Sequence, residues 1–279
     1  MSYENPQIPE GINNTRENPL KEFVILTIGV LGSAAIITVL LVQLIGWWAP
    51  LIPFSWEQDW SVSLDDTPQD ASAKQQDIEV YLNELTSALS TAMNLPESMH
   101  ITAHFVDDDT VNGFATLGGH IYIHRGLLAL LDSENALALL LAHEIAHIKN
   151  RDPLVAFARH VGVASVLGLI TGTSNMGDIG SGIGVVSTLT SLGFNRSMES
   201  TADHDGLHAV YQHYGHTNGA AQLFVVLQQQ SKLAIPEFIS THPLSENRVE
   251  ELQSLAEHNQ WKQTGSTTPL PASIRAYLK

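Results

Sequence analysis

Residues 139–152 read LLLAHEIAHIKNRD, a leucine-rich run carrying two histidines four apart around a glutamate. On a helix, at about 100° per residue, His147 falls about 40° from His143 and Glu144 about 60° beyond His147, so all three share one stripe. Two imidazoles one turn apart can ligate a single zinc ion. The glutamate between them sits too far round to ligate comfortably but is well placed to hold a water at that ion. The rival reading is an amphipathic helix that happens to carry two histidines, and a five-residue pattern with three fixed positions does not decide between them.

The flanking sequence supplies the frame. Asp132 or Ser133 can cap the helix, Glu134 lies in its first turn, and Asp152-Pro153 closes it. GLLALLD before it reads as another helix, and IEVYLNELTSALSTAMNL as an amphipathic helix stopped by Pro96. HITAHFV and HIYIH alternate or carry β-branched and aromatic residues, with Gly113, Gly118 and Gly119 punctuating the stretch between; these are strands, expected to pair antiparallel. NRSMESTADHDGLHAVYQHYG reads as a helix ending at Gly215. The fold class is therefore α+β, mainly helical, with a small antiparallel sheet.

A catalytic zinc normally takes three protein ligands and leaves one place open, so a third ligand is required. The chain has no cysteine, which leaves His, Asp and Glu as donors. Asn150 and Pro153 stand where a metzincin has glycine and histidine, which excludes that class. Asp152, His160, Asp178 and Glu199 remain as candidates. Asp152 sits beside the helix-ending proline, His160 opens an apolar glycine-rich stretch, and Asp178 lies within that stretch. Glu199 has Asp203 one turn on at about 40°, the arrangement of a ligand followed by a carboxylate able to orient a zinc histidine.

HEIAHIKNRD, RSMESTAD and THPLSENRVEEL, together with NGFATLGGHIYIHRGLL, resemble metallopeptidase family forty-eight, the gluzincins that include HtpX, the CAAX prenyl protease and the mitochondrial Oma-type protease. The likeness covers residues 77 to 265. It implies a zinc endopeptidase with one zinc per chain held by His143, His147 and Glu199, Glu144 as general base, Asp203 behind a ligand, and His242 approaching the substrate oxyanion. The chain departs from the polytopic HtpX-like and prenyl-protease-like members in its one amino-terminal span, and from periplasmic assembly-type relatives in lacking helical repeats after the motifs.

From Phe23 to Trp48 no charge interrupts twenty-six residues, more than enough for a hydrocarbon core of about 30 Å. The run is too long for a signal-peptide core and ends in Trp47, Trp48 and Pro50, so it reads as an uncleaved anchor. Arg16 and Lys21 precede it, and no Lys or Arg follows from Leu51 until Lys74; residues 1–22 are therefore expected in the cytoplasm and the bulk of the chain outside it, on an inner membrane. Residues 49–76 read as a linker, 77–265 as the peptidase domain and 266–279 as a tail. A net charge of −16 excludes a nucleic-acid surface, leaving polypeptide substrates and, through 23–48, lipid as the expected partners.

Two other histidine pairs call for weighing. His204 and His208 fall about 140° and 180° from Glu199 and cannot join its metal. His120 and His124 share a strand face and read as partly exposed residues near the cleft. Residues 161–194, with eight glycines and one charge, read as two buried helices joined by a Gly/Ser loop, with a membrane-dipping segment or a lid as alternatives. Extended polypeptide is expected to dock as an added strand near Gly113 to Gly119. A metal closed by a fourth protein ligand would instead fit a tethered chaperone or assembly factor using zinc structurally.

Overall fold

A computed structural model describes residues 18–60, 72–171, 193–231, 237–242 and 247–278. Helix α1, Pro19–Trp48, is capped by Asn18, whose side chain accepts from the Lys21 amide. None of its residues is buried by the protein, and its 30 residues give about 45 Å of apolar helix: it is the membrane-spanning element. A 3-10 turn, Ala49–Leu51, leads into α2, Phe54–Trp60. Helix α3, Ala73–Ala92, opens on a capping box between Ser72 and Gln75 and buries Ile78, Leu82, Leu85 and Leu89, the one-turn spacing of its apolar face.

Strands β1 (Thr102–Val106), β2 (Gly113–Ala115) and β3 (His120–His124) form a sheet in the order β1-β3-β2. β2 and β3 pair antiparallel, with Phe114 opposite Tyr122. The expected antiparallel pairing of the HITAHFV and HIYIH strands is corrected: β1 and β3 run parallel, Thr102 opposite His120. The chain leaves β1, crosses to the far side of β3 to lay down β2, and returns through the 3-10 turn Leu117–Gly119, so β3 points the same way as β1. Gly119 makes that return possible: its φ is +90°, and a Cβ there would lie 2.3 Å from the His100 carbonyl.

Helix α4 (Arg125–Leu128) precedes α5 (Glu134–Lys149), capped by Ser133 through the Ala136 amide. Every residue of α5 from Asn135 to Ile148 is buried. A helix enclosed on all sides is the centre of its domain, and α3, the sheet, α7 (Arg196–Tyr214) and α8 (Gln222–Ser231) pack around it. α7 approaches most closely because Gly206 faces α5: a Cβ at 206 would stand 3.1 Å from the His143 amide nitrogen. Asn195 caps α7, and Gly215, at φ +72°, ends it as the sequence predicts. α9 (Glu237–Thr241), α10 (Arg248–His258) and α11 (Ala272–Tyr277) complete the described elements.

The expected boundaries shift at both ends. The segment read as a linker contains α2, which packs on the domain with Phe54 and Glu57 buried, and the domain's first helix starts at Ala73 rather than near Asp77. The segment read as a tail belongs to the core: Leu270 and Ile274 are buried, the Glu134 amide donates to the Thr268 carbonyl, and the Tyr277 hydroxyl donates to Asp107. Polar composition hid these segments, because few side chains in each reach the core.

Of the segment 161–194, read as two buried helices and a loop, residues 172–192 lie outside the described residues; its first part belongs to helix α6, Asp152–Thr171, which is exposed at His160 and Val163. Its first turns pack into the domain, with Leu154 and Val155 clustered on Ala49 and Leu117; its later turns lie along α1. Asp178, one of the candidate ligands, lies outside the described residues, as do Arg16 and most of the expected cytoplasmic segment.

Candidate metal centre

α5 and α7 cross where His143, Glu144 and His147 face Glu199 and Asp203. The Nε2 atoms of His143 and His147 stand 3.1 Å apart with the rings near perpendicular, at 88°. Glu199 Oε2 lies 3.6 Å from His143 Nε2, and its Oε1 3.4 Å from His147 Nε2. His242, just past α9, brings Nδ1 to 3.0 Å from Glu199 Oε1 and 3.2 Å from His143 Nε2. One donor atom from each of His143, His147, Glu199 and His242 lies within 4.8 Å of the others, and all four residues are buried. This is the one such group of three or more among the described residues.

The far sides of the rings explain why the near sides converge. His143 Nδ1 lies 3.1 Å from Asp203 Oδ1, and His147 Nδ1 lies 2.8 Å from Asp152 Oδ2. A carboxylate at Nδ1 holds a proton there and leaves Nε2 as a lone pair directed inward. Burial pushes His143 below the ordinary histidine range. Burial also acts downward on His147, but the Asp152 and Glu199 carboxylates outweigh it and push it up to about 9. Burial acts to raise Glu199, yet His242, His147 and His143 around it hold it far below the usual carboxylate range. One proton on His147 can bridge one of these contacts but cannot satisfy all four inward donors. A cation can, and a two-histidine, one-carboxylate set is a zinc donor set.

Around these donors lie residues that the sequence reading did not single out. Arg248, buried at 2% exposure, donates through Nε and Nη2 to the two oxygens of Asp203 at 2.7 and 2.6 Å, and its Nη2 reaches Glu199 Oε2 at 2.9 Å. Its guanidinium lies over the Phe224 ring, 4.2 Å from the centroid. Phe194 stacks on His147 with centroids 4.1 Å apart, and Phe238 stacks on His242. Asp152, one of the candidate third ligands, backs His147 instead. That position depends on Arg151, whose φ of +62° ends α5 and turns the chain back on itself. Arg151 pairs with buried Glu57 of α2, which also accepts from the Gly118 amide, and its cation faces the Phe54 ring.

Glu144 is fully buried, and neither carboxylate oxygen has a hydrogen-bond partner; the nearest basic group is His242 Nε2, at 3.6 Å from Oε1. His160, another candidate ligand, is exposed on α6, away from the donor group. His204 and His208 lie apart from it as expected, His208 stacking on Trp261. His120 and His124 are partly buried, the first against His104 and the second 3.6 Å from Asp108.

The sequence profile of peptidase family M48 matches residues 72–256, about two thirds of the chain and all of the site just described. The chain belongs to peptidase family M48. Among its M48 relatives are the beta-barrel assembly-enhancing proteases of Yersinia pestis, 32% identical over 197 residues, and of Escherichia coli strain K12, 28% identical over 204 residues. Those matches cover 65% and 63% of this chain but only 39% and 38% of the relatives, so the chain spans about two fifths of their length. A protease HtpX homolog of Aquifex aeolicus is 29% identical over 225 residues, 63% of this chain and 72% of that protein. The M48 match and the buried His/His/Glu/His cluster together give the chain the centre of a zinc metallopeptidase, able to chelate a single Zn²⁺.

Proposed function

We propose that this chain is a membrane-anchored zinc endopeptidase that hydrolyses extended or misfolded polypeptides outside the cytoplasm, in quality control of envelope proteins. The observation that carries the reading is the convergence of the inward Nε2 atoms of His143 and His147 with Glu199, beside a buried Glu144 whose carboxylate has no hydrogen-bond partner. His143, His147 and Glu199 would hold the ion. A zinc ion in such a set polarises a scissile carbonyl and brings the pKa of water towards about 7. Glu144 would take the proton of the attacking water and hand it to the leaving amine. Asp152, hydrogen-bonded at Nδ1, keeps the His147 imidazole in the Nδ1–H form, Asp203 lies at ion-pair distance from His143 Nδ1, and Arg248 keeps Asp203 in place.

His242 bears on a second reading. In this conformation it supplies a fourth donor, the feature of a closed structural site and of a tethered chaperone or assembly factor. Hydrolysis requires His242 to leave that place, after which its ring is free to serve the developing oxyanion. A closed structural site gives Glu144 no role, whereas a hydrolytic site uses it, and that favours the peptidase. Glu144→Gln in the full chain, solubilised in detergent, tests the choice: zinc content and melting temperature should stay as in the parent while cleavage of casein falls by about 10²–10⁴-fold. Cleavage at the parent rate would end the mechanism.

Three features support the placement of the chain. The positive charge sits before the span, no residue of α1 is buried by the protein, and Trp47 and Trp48 stand bare at its end, 83% and 59% exposed, as interfacial tryptophans do. The substrate chain would add to the sheet at β2, the edge strand nearest α5. α9 lies at that edge, with the Phe238 amide donating to the Val111 carbonyl and Asn112 to Glu237, so the displacement that frees His242 also uncovers the start of β2.

A further inference from the structure

α6 begins in the metal centre, where Asp152 backs His147, and then departs from the domain. Its path is antiparallel to α1. Leu154 and Val155 cluster with Ala49, a Cβ on Gly46 would lie 3.4 Å from the Arg159 guanidinium, and a Cβ on Gly162 would lie 3.7 Å from Ile45. On α1, Ala34, Thr38, Val42, Ile45 and Gly46, and Ala49 just past its end, are less exposed than their neighbours, and on a helical wheel they fall within about 120° of one another. That covered stripe runs twelve residues below Gly46. From Arg159 to Thr171 is also twelve residues, about 18 Å of helix, so an antiparallel α6 ends level with Ala34, near the middle of the Phe23–Trp48 span.

Arg159 and His160 are the last charged or titratable residues of α6; from Val161 to Thr171 the sequence is VGVASVLGLIT. Arg159 is level with Gly46, next to Trp47 and Trp48, the depth at which an arginine can keep its head among lipid headgroups while its stem lies on apolar surface. Val163, one turn deeper, carries an exposed side chain. Water is a poor neighbour for such a helix face at that level, because the same level of α1 is in hydrocarbon.

We infer that α6 enters the bilayer beside α1 and reaches about its midplane, its outward face covered by lipid hydrocarbon in the leaflet on the domain's side. The peptidase domain is then seated on the membrane by two helices rather than hung from one. The metal centre, about two turns above the headgroup level on α6, lies close to the membrane surface. This placement depends only on α1 spanning the membrane, not on hydrolysis.

The chain's lack of cysteine allows a direct test. Val163→Cys and His160→Cys, spin-labelled in the full chain and reconstituted in phosphatidylcholine vesicles, are compared with Ile36→Cys on α1 and Val80→Cys on α3, both at exposed positions. The label at 163 should be relaxed strongly by oxygen and weakly by a water-soluble nickel chelate, as at 36; the label at 160 should be shallower, and that at 80 should show the reverse. Strong nickel relaxation at 163 would place α6 in water and overturn the inference. Weak relaxation by both would mean that protein covers the face, and would overturn it equally. Should the 163 variant fail to incorporate, the label at 160 decides: a depth at the headgroups supports the inference, and the aqueous signature of position 80 defeats it.

Discussion

At the scale of single residues, the centre is a set of carboxylates arranged around histidines. Glu199, Asp203, Asp152 and Glu144 are all buried, and one arginine, Arg248, answers two of them. Charges this deep are tolerated only when paired or bound to metal, so the cation should matter for more than chemistry. Asp203→Asn keeps the shape but weakens the hold on His143 Nδ1 and Arg248; zinc affinity should fall by about 10–100-fold, read by competition with a chromogenic chelator. His242→Ala should behave differently from Glu199→Ala. With His143, His147 and Glu199 intact, the His242 variant should keep one zinc per chain and show one histidine fewer by X-ray absorption, while Glu199→Ala should lose zinc at the same free concentration. Equal zinc loss in the two variants would make His242 a structural ligand and favour the chaperone reading. Helical spacing puts His143 with His147 and Glu199 with Asp203 on shared faces, but only the family resemblance singled Glu199 out from Asp152, His160 and Asp178. Arg248 was not legible: within NRVEEL an arginine among acids reads as solvated surface, and only the crossing of α7 and α10 turns it inward. Asp152 was legible as a donor but not in its position, because its approach to Nδ1 depends on the positive φ of Arg151.

At the scale of elements, periodicity and capping gave the helices, and long-range pairing gave what they could not. α5 and α7 announce themselves through Ser133 and Gly215, but the parallel pairing of β1 with β3 depends on a crossover that no local pattern records. α2 is the clearest case. Seven residues, FSWEQDW, read as polar linker, yet Phe54 and Glu57 fill a slot against Arg151 and Gly118. The conformation at Arg151 costs about 1–2 kcal/mol for a residue with a Cβ, and the buried pair with Glu57 offsets it. Burial pushes the Glu57 carboxyl above its usual range, while Arg151 and the Gly118 amide draw it back. Glu57→Ala would leave a buried guanidinium without its carboxylate and should cost about 3–5 kcal/mol, seen as a lower urea midpoint. The Glu57→Leu/Arg151→Met pair should recover much of that stability, since the desolvation penalty goes with the charges. If Glu57→Ala unfolds like the parent, α2 is a passive tether and the link from anchor to metal centre is not energetic.

At the scale of the molecule, orientation decides which polypeptides the centre can meet, and it follows from a sparse set of charges. The chain carries 13 Lys and Arg against 29 Asp and Glu, and the rule that orients a span counts only the basic residues near its ends. Arg16 and Lys21 lie before α1, whereas the chain from Leu51 to Lys74 has none. Arg151 and Arg159 are far from α1 in sequence, and Arg151 is paired with Glu57, so neither competes with the N-terminal pair as α1 inserts. The acidic bulk offers little opposition, because Asp and Glu contribute weakly to the choice. A carboxy-terminal fusion to alkaline phosphatase should therefore be active, and one to a fluorescent protein that matures only in the cytoplasm should be dark. Arg16→Glu with Lys21→Glu should weaken that contrast by lowering the basic count before the span to zero. A dark phosphatase and a bright fluorescent fusion in the parent chain would put the metal centre in the cytoplasm and remove envelope proteins from its reach.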